Sequence, residues 1–137
     1  MGCKQLENGK NGEKLLCKIF RENGYWCHLF ERNSSGGQPV DIVALRGNDN
    51  WLVDSKFIEK EHCSFSLNYV QPNQDTTLRY AREWCKLKNL GFVIFFERDI
   101  ANPRFLSFDT YLSMLANNEK SKSMNDLPNF KDLLLKK

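Results

Sequence analysis

The run Phe92-Val93-Ile94-Phe95-Phe96, framed by Gly91 and Glu97, constrains the fold more than any other stretch. It has strand length and no polar alternation, so it reads as a central strand covered on both faces. Taken with the segments around it, the order along the chain is helix, three strands, helix, one or two strands and a tail, an α/β chain. With 137 residues and 41% hydrophobic content, the chain can build one compact domain with a real core and is too short for two.

The remaining segments fill in that plan. Glu13 to Asn23 carries Leu15, Leu16, Ile19 and Phe20 at helical spacing and closes on Asn23-Gly24. Tyr25 to Glu31 is strand-like and runs into the turn-rich stretch Arg32-Asn33-Ser34-Ser35-Gly36-Gly37-Gln38-Pro39, expected as a loop beside the site. Val40 to Arg46 and Trp51 to Phe57 are β-rich and separated by Gly47-Asn48-Asp49-Asn50, which predicts a hairpin. Glu59 to Asn68 is a polar connection, and Pro72 opens a second helix expected to run to about Leu90. Arg104 to Phe108 offers a further strand and Asp109 to Leu115 a short helix. Ala116 to Asp126 reads as a linker, and Leu127 to Lys137 as a terminal helix or a loosely held tail.

The 5 cysteines, Cys3, Cys17, Cys27, Cys63 and Cys85, are odd in number and form no Cys-x-x-Cys pair. That argues against a disulfide framework or a zinc knuckle and favours a reducing, cytoplasmic setting. The N-terminus lacks an apolar signal core and no apolar run is long enough to span a bilayer, so no membrane partner is expected. A formal net charge of +3 neither announces nor excludes a nucleic-acid partner.

Against this background, charge in the strands stands out. Asp41 opens one strand segment and Asp54-Ser55-Lys56 ends the next, and burying charge there is costly unless it is paired or holds a metal. Strand alternation puts Asp54 and Lys56 on one face with Ser55 turned away. Glu13 lies at the edge of the first helix's apolar stripe, and Gln74 falls on the stripe of the second with Leu78, Ala81 and Cys85. Taken singly, these residues have structural explanations: a cross-strand ion pair, a turn former after Pro39, a helix-edge acid paired at the surface. Taken jointly, they favour a metal-dependent site.

Phosphodiester hydrolysis needs an activated water, stabilisation of charge on the scissile phosphate and help for the leaving oxygen, and Mg²⁺ held by carboxylates serves each. In this reading Asp41 and Asp54 are metal ligands, with the backbone carbonyl of Ser55 or Phe57 a further oxygen ligand, Glu13 contributing directly or through water, and Mn²⁺ able to substitute. Lys56 stands near the attacking water or phosphate, and Gln74 hydrogen-bonds at the site. Ser35 on its glycine-flanked loop and Arg32 beside it are candidate phosphate contacts. Arg79 and Arg82 on the second helix face either a polyanion or solvent.

Pro39, Asp41, Asp54 and Lys56 resemble the signature of the PD-(D/E)XK nuclease superfamily. The resemblance is closest to Holliday-junction resolvases of the archaeal type and to RecU-like bacterial ones. It runs from about Gly9 to Leu115 and includes the stretch Ser35 to Leu45, Glu13 in the first helix and Gln74 opening the second. Val40 intervenes between Pro39 and Asp41, and Asp54 stands where Glu is more frequent. The resemblance implies a restriction-endonuclease-like core, a mixed sheet of four to five strands flanked by helices, over residues 1–117, with 118–137 as linker and C-terminal helix or tail. It also implies a Mg²⁺-dependent endonuclease of DNA recombination and repair, acting as a homodimer that nicks two opposed strands of a four-way junction. Its main rival is a restriction or repair endonuclease of the same superfamily acting on double-stranded DNA. A second rival, of another class, is a DNA-binding module whose charges form a structural cluster.

Overall fold

The computed structural model describes residues 2–30 and 42–135, with side chains from residue 11 onward. The chain opens with helix α1 (Gly2–Glu22) and continues through strands β1 (Trp26–Leu29), β2 (Ile42–Arg46) and β3 (Asp49–Ile58). A short strand β4 (Ser64–Ser66) precedes helix α2 (Pro72–Glu83), then come β5 (Asn89–Phe96), β6 (Arg104–Ser107) and helix α3 (Phe108–Ala116). Strand β7 (Ser121–Ser123) and helix α4 (Phe130–Leu135) complete it.

Five strands form one mixed sheet in the order β1-β2-β3-β5-β6, antiparallel except for the central β3–β5 pair. The parallel pair requires a crossover, and α2 lies within it. β2 and β3 form a tight hairpin in which Arg46 pairs with Asp49 and Gly47 supplies a φ of +57° at the first loop position. The apolar run in β5 is buried on both faces, as its composition requires.

Alternation along β3 divides the core. Trp51 and Val53 join Leu16, Phe20, Val93, Phe95 and Phe130 on the α1 side, and Phe57 packs against them. Ile58 joins Phe65, Leu78, Phe92, Ile94 and Phe108 on the α2 and α3 side, with Leu52 against that cluster. Asp54 and Lys56 therefore point towards α2, and Ser55 towards α1.

The structure departs from the sequence reading in three places and decides a fourth, helix or tail at the C-terminal segment. α1 begins well before Glu13, so part of the polar leader is helical. α2 stops at Glu83 and not near Leu90: Lys86 takes a φ of +59°, a left-handed backbone that no continuing helix allows, so Lys86 and Lys88 lie in the connection. The polar connection after β3 and the expected linker each contribute three residues to a separate two-stranded sheet, β4 with β7. The C-terminal segment is a helix built into the core, with Phe130 meeting Phe20 and Trp51 edge to face.

Candidate active site

Among the described residues, three polar or charged side chains are buried: Glu13, Asp54 and Gln74. Chains bury such groups only where partners or ligands compensate the lost hydration. Asp54 is 1% exposed, in register with Phe92 of β5 and one residue past Val53, where the described pairing with β2 ends.

Its carboxylate is engaged by two donors through the same oxygen. Lys56 Nζ stands 2.9 Å from Asp54 Oδ2, and Gln74 Nε2 donates to that atom at 2.9 Å. Gln74 Oε1 in turn accepts from Lys56 Nζ at 3.0 Å, closing a three-membered network, and neither described bond uses Asp54 Oδ1. The network is fixed from outside as well. Gln74 sits in the first turn of α2, where its Oε1 also accepts the backbone N–H of Gln71 at 3.1 Å in a reciprocal capping box. One side chain thus caps the start of the helix and orients the lysine.

Glu13 comes from the other layer. The preceding residue, Gly12, approaches the sheet so closely that an added Cβ would stand 3.3 Å from Ser55 Oγ and 3.5 Å from the Phe95 ring. This seats α1 against β3, the strand that carries Asp54, with Glu13 buried beside the contact in sequence. Glycine within a helix costs about 1 kcal/mol relative to alanine, and close approach beside Glu13 accounts for it.

Strand β2 begins at Ile42, the residue after Asp41, and Ile42 is in register with Val53, the residue before Asp54. Asp41 itself, with Arg32 and Ser35, lies outside the described residues. Arg79 and Arg82 are on the exposed side of α2, each already held by an acid: Arg79 Nε donates to Asp75 at 2.5 Å and Arg82 Nε to Asp109 at 2.7 Å. Asp75 also accepts from Tyr111 Oη at 2.5 Å, tying α2 to α3. Burial raises the pKa of Asp75, but the Arg79 guanidinium and the Tyr111 hydroxyl outweigh it and leave the carboxyl below its ordinary value.

Sequence reasoning missed Gln71 and Gly12. The signals were present: a Gln71-Pro72 helix start with Gln three residues on, and a glycine inside a helical segment. Among the described residues no group of three His, Cys, Asp or Glu side chains is placed to hold a metal. The donors that are buried, Asp54 and Glu13, are carboxylates, the hard oxygen ligands that suit Mg²⁺ and not a thiolate or imidazole site.

With this geometry in place, the comparison with solved structures becomes informative. Hjc from Archaeoglobus fulgidus, a Holliday junction resolvase from an archaeal hyperthermophile, superposes with a TM-score of 0.66 over 92% of this chain and 99% of its own, at 16% sequence identity. The two chains share one fold. The restriction-endonuclease-like core expected from the sequence is therefore the architecture present: a mixed five-stranded sheet with flanking helices. No family model matches the sequence, and no curated protein matches it. No helix among the described residues is long and apolar enough to cross a membrane.

Proposed function

We propose that this protein is a Mg²⁺-dependent endonuclease that resolves four-way DNA junctions by paired hydrolytic nicks. The observation that carries the reading is the coincidence of burial with chemistry. Glu13, Asp54 and Gln74, the buried polar residues among those described, are all members of the set expected to do phosphodiester hydrolysis. The shared fold with an archaeal resolvase supports the same class.

Asp41 and Asp54 would hold the metal, with the Ser55 carbonyl and Glu13 as further oxygen donors. Bound there, Mg²⁺ would make a water acidic enough to attack at neutral pH and offset charge on the scissile phosphate. Lys56 supplies the protein's own positive charge beside that water and phosphate, favouring hydroxide and the more anionic transition state. Gln74 holds the lysine against Asp54, so its ammonium keeps one position before substrate arrives. Arg79 and Arg82 would exchange their carboxylate partners for backbone phosphates, with Arg32 and Ser35 contributing from the loop before β2.

Paired nicks need two sites at fixed separation, and a surface suited to a second copy supports the homodimer. α3 packs on β5 and β6, and α2 on β5, while Asp75, Arg79 and Arg82 turn towards α3. Tyr80 and Trp84, one turn apart on α2, fall on the opposite side and are 62% and 74% exposed. On the sheet, alternation leaves Trp26 of β1 and Leu45 of β2 exposed as cross-strand partners, next to His28 and Val43. None of these residues is charged, which suits a second copy of the chain better than a run of phosphates.

Mn²⁺ binding followed by electron paramagnetic resonance, with cleavage of a labelled junction measured in parallel, tests the site. Lys56→Ala should bind the ion and fail to cut, whereas Asp54→Asn should lose both. Undiminished cutting by both variants would overturn the assignment.

A further inference from the structure

Cys17 on α1 and Cys27 on β1 are 4% and 6% exposed, and their Sγ atoms are 3.2 Å apart. The two elements pack together through the short turn at Gly24, whose φ is +85°. A disulfide requires about 2.05 Å between sulfurs, so closing this pair brings the two sulfurs together by roughly 1 Å. Arg21, one turn beyond Cys17, donates to the Cys27 carbonyl at 3.4 Å and brings a positive charge to both thiols. The Cys27 thiol, hydrogen-bonded to Cys17, draws the Cys17 pKa down to about 7, against burial, with Arg21 assisting. Of the two thiols in contact, Cys17 is therefore the one nearer ionisation at neutral pH, although burial and the Glu13 carboxylate oppose it. By contrast, Cys63 and Cys85 are exposed.

We propose that Cys17 and Cys27 form a modification site, a reversible intramolecular disulfide made by a small peroxide, which pins α1 to the edge strand β1. The Cys17 thiolate attacks one peroxide oxygen, the O–O bond breaks, and hydroxide leaves and takes a proton to become water. The resulting sulfenic acid is then attacked by Cys27 sulfur: the S–S bond forms, the S–O bond breaks, and the oxygen leaves as water with the Cys27 proton. Two thiols are oxidised by two electrons and hydrogen peroxide is reduced to two waters. Both sulfurs lie in the apolar cluster with Leu16, Phe20 and Trp51, which favours a small oxidant over a bulky one. Glu13 sits one turn before Cys17 on the same helix face, so the bond fixes the helix that carries it. This inference stands apart from the proposed nuclease activity and survives its failure.

The test uses the full chain with Cys3, Cys63 and Cys85 changed to Ser, treated with hydrogen peroxide, quenched with catalase, denatured and blocked with N-ethylmaleimide. The intact mass should show loss of two hydrogens and no maleimide adduct. Digestion should give a Cys17–Cys27 cross-linked peptide, and dithiothreitol should restore two adducts. The thermal midpoint of the oxidised protein should lie above that of the reduced one and fall back on reduction. Adding Cys27→Ser should leave a dimedone-reactive sulfenic acid at Cys17. Two maleimide adducts after peroxide, or Cys17 driven to the sulfinic acid with no cross-link, would overturn the proposal. If the serine background fails to fold, tryptic mapping of the oxidised wild-type chain reads the same bond.

Discussion

Lys56 Nζ stands 2.9 Å from Asp54 Oδ2, two residues along one strand, and Gln74 from α2 bonds to both. A buried carboxylate of this kind is stable only as part of such a network, because removing a partner strands a charge in a poorly hydrated place. Coupling the lysine to a helix start makes the geometry of the site depend on the fold of α2.

Gln74→Leu tests that dependence. It should remove the bonds to Asp54 and Lys56 and the cap to Gln71 together, lowering stability by about 1–3 kcal/mol. Cleavage should fall at least tenfold in kcat with junction affinity little changed, as measured by denaturant unfolding and single-turnover kinetics. An unaltered kcat would mean that Gln74 is only a cap.

Gly91 is required by close packing between β5 and β6. Its φ is +153°, and a Cβ there would stand 2.3 Å from the Leu106 carbonyl oxygen. Backbone cannot yield as a flexible side chain can, so Gly91→Ala should destabilise by about 3 kcal/mol or more. A melting midpoint close to wild type would contradict this.

The Asp75 clamp gives a pH dependence with a defined sign. Its folded pKa lies below the ordinary 3.8 because Arg79 and Tyr111 outweigh burial. The contribution is therefore complete above that ordinary value and fades as pH falls through the folded one. The stability gap between wild type and Asp75→Asn should be largest at neutral pH and close in acid. Tyr111→Phe should cost about 1 kcal/mol at pH 7, with Arg79 contributing less because it is half exposed.

The uncharged step of Tyr80, Trp84, Trp26 and Leu45 should be where copies meet. Trp84→Lys should shift the protein to monomer in light scattering, and paired nicks on one junction should give way to uncoordinated single nicks. A stable Trp84→Lys dimer would move the interface elsewhere, and a wild-type monomer would overturn the homodimer.

How much of this the sequence disclosed follows from the kind of signal each residue gives. Asp54, Lys56, Gln74 and Glu13 were legible because each is a polar group at a position that periodicity assigns to the core, and all but Lys56 are buried. The end of α2 was not legible, because it depends on a left-handed backbone at Lys86, a residue that carries no such preference. The role of the C-terminal segment was hidden because Phe130 is a lone aromatic among polar neighbours, and its partners are more than a hundred residues away for Phe20. The pairing of β4 with β7 rests on serine-rich strands of three residues each, too short for a pattern. The candidate interface escaped because Trp26 and Leu45 read as ordinary strand residues until the sheet order shows that α2 leaves them uncovered.

The most direct test of the account is cleavage of end-labelled four-way junction and matched linear duplex, each with Mg²⁺ and with EDTA, mapped on all strands. Metal-dependent, symmetrically paired nicks near the branch point are expected, with the linear duplex spared. Equal cutting of both DNAs, or no cutting at all despite tight junction binding, would contradict it.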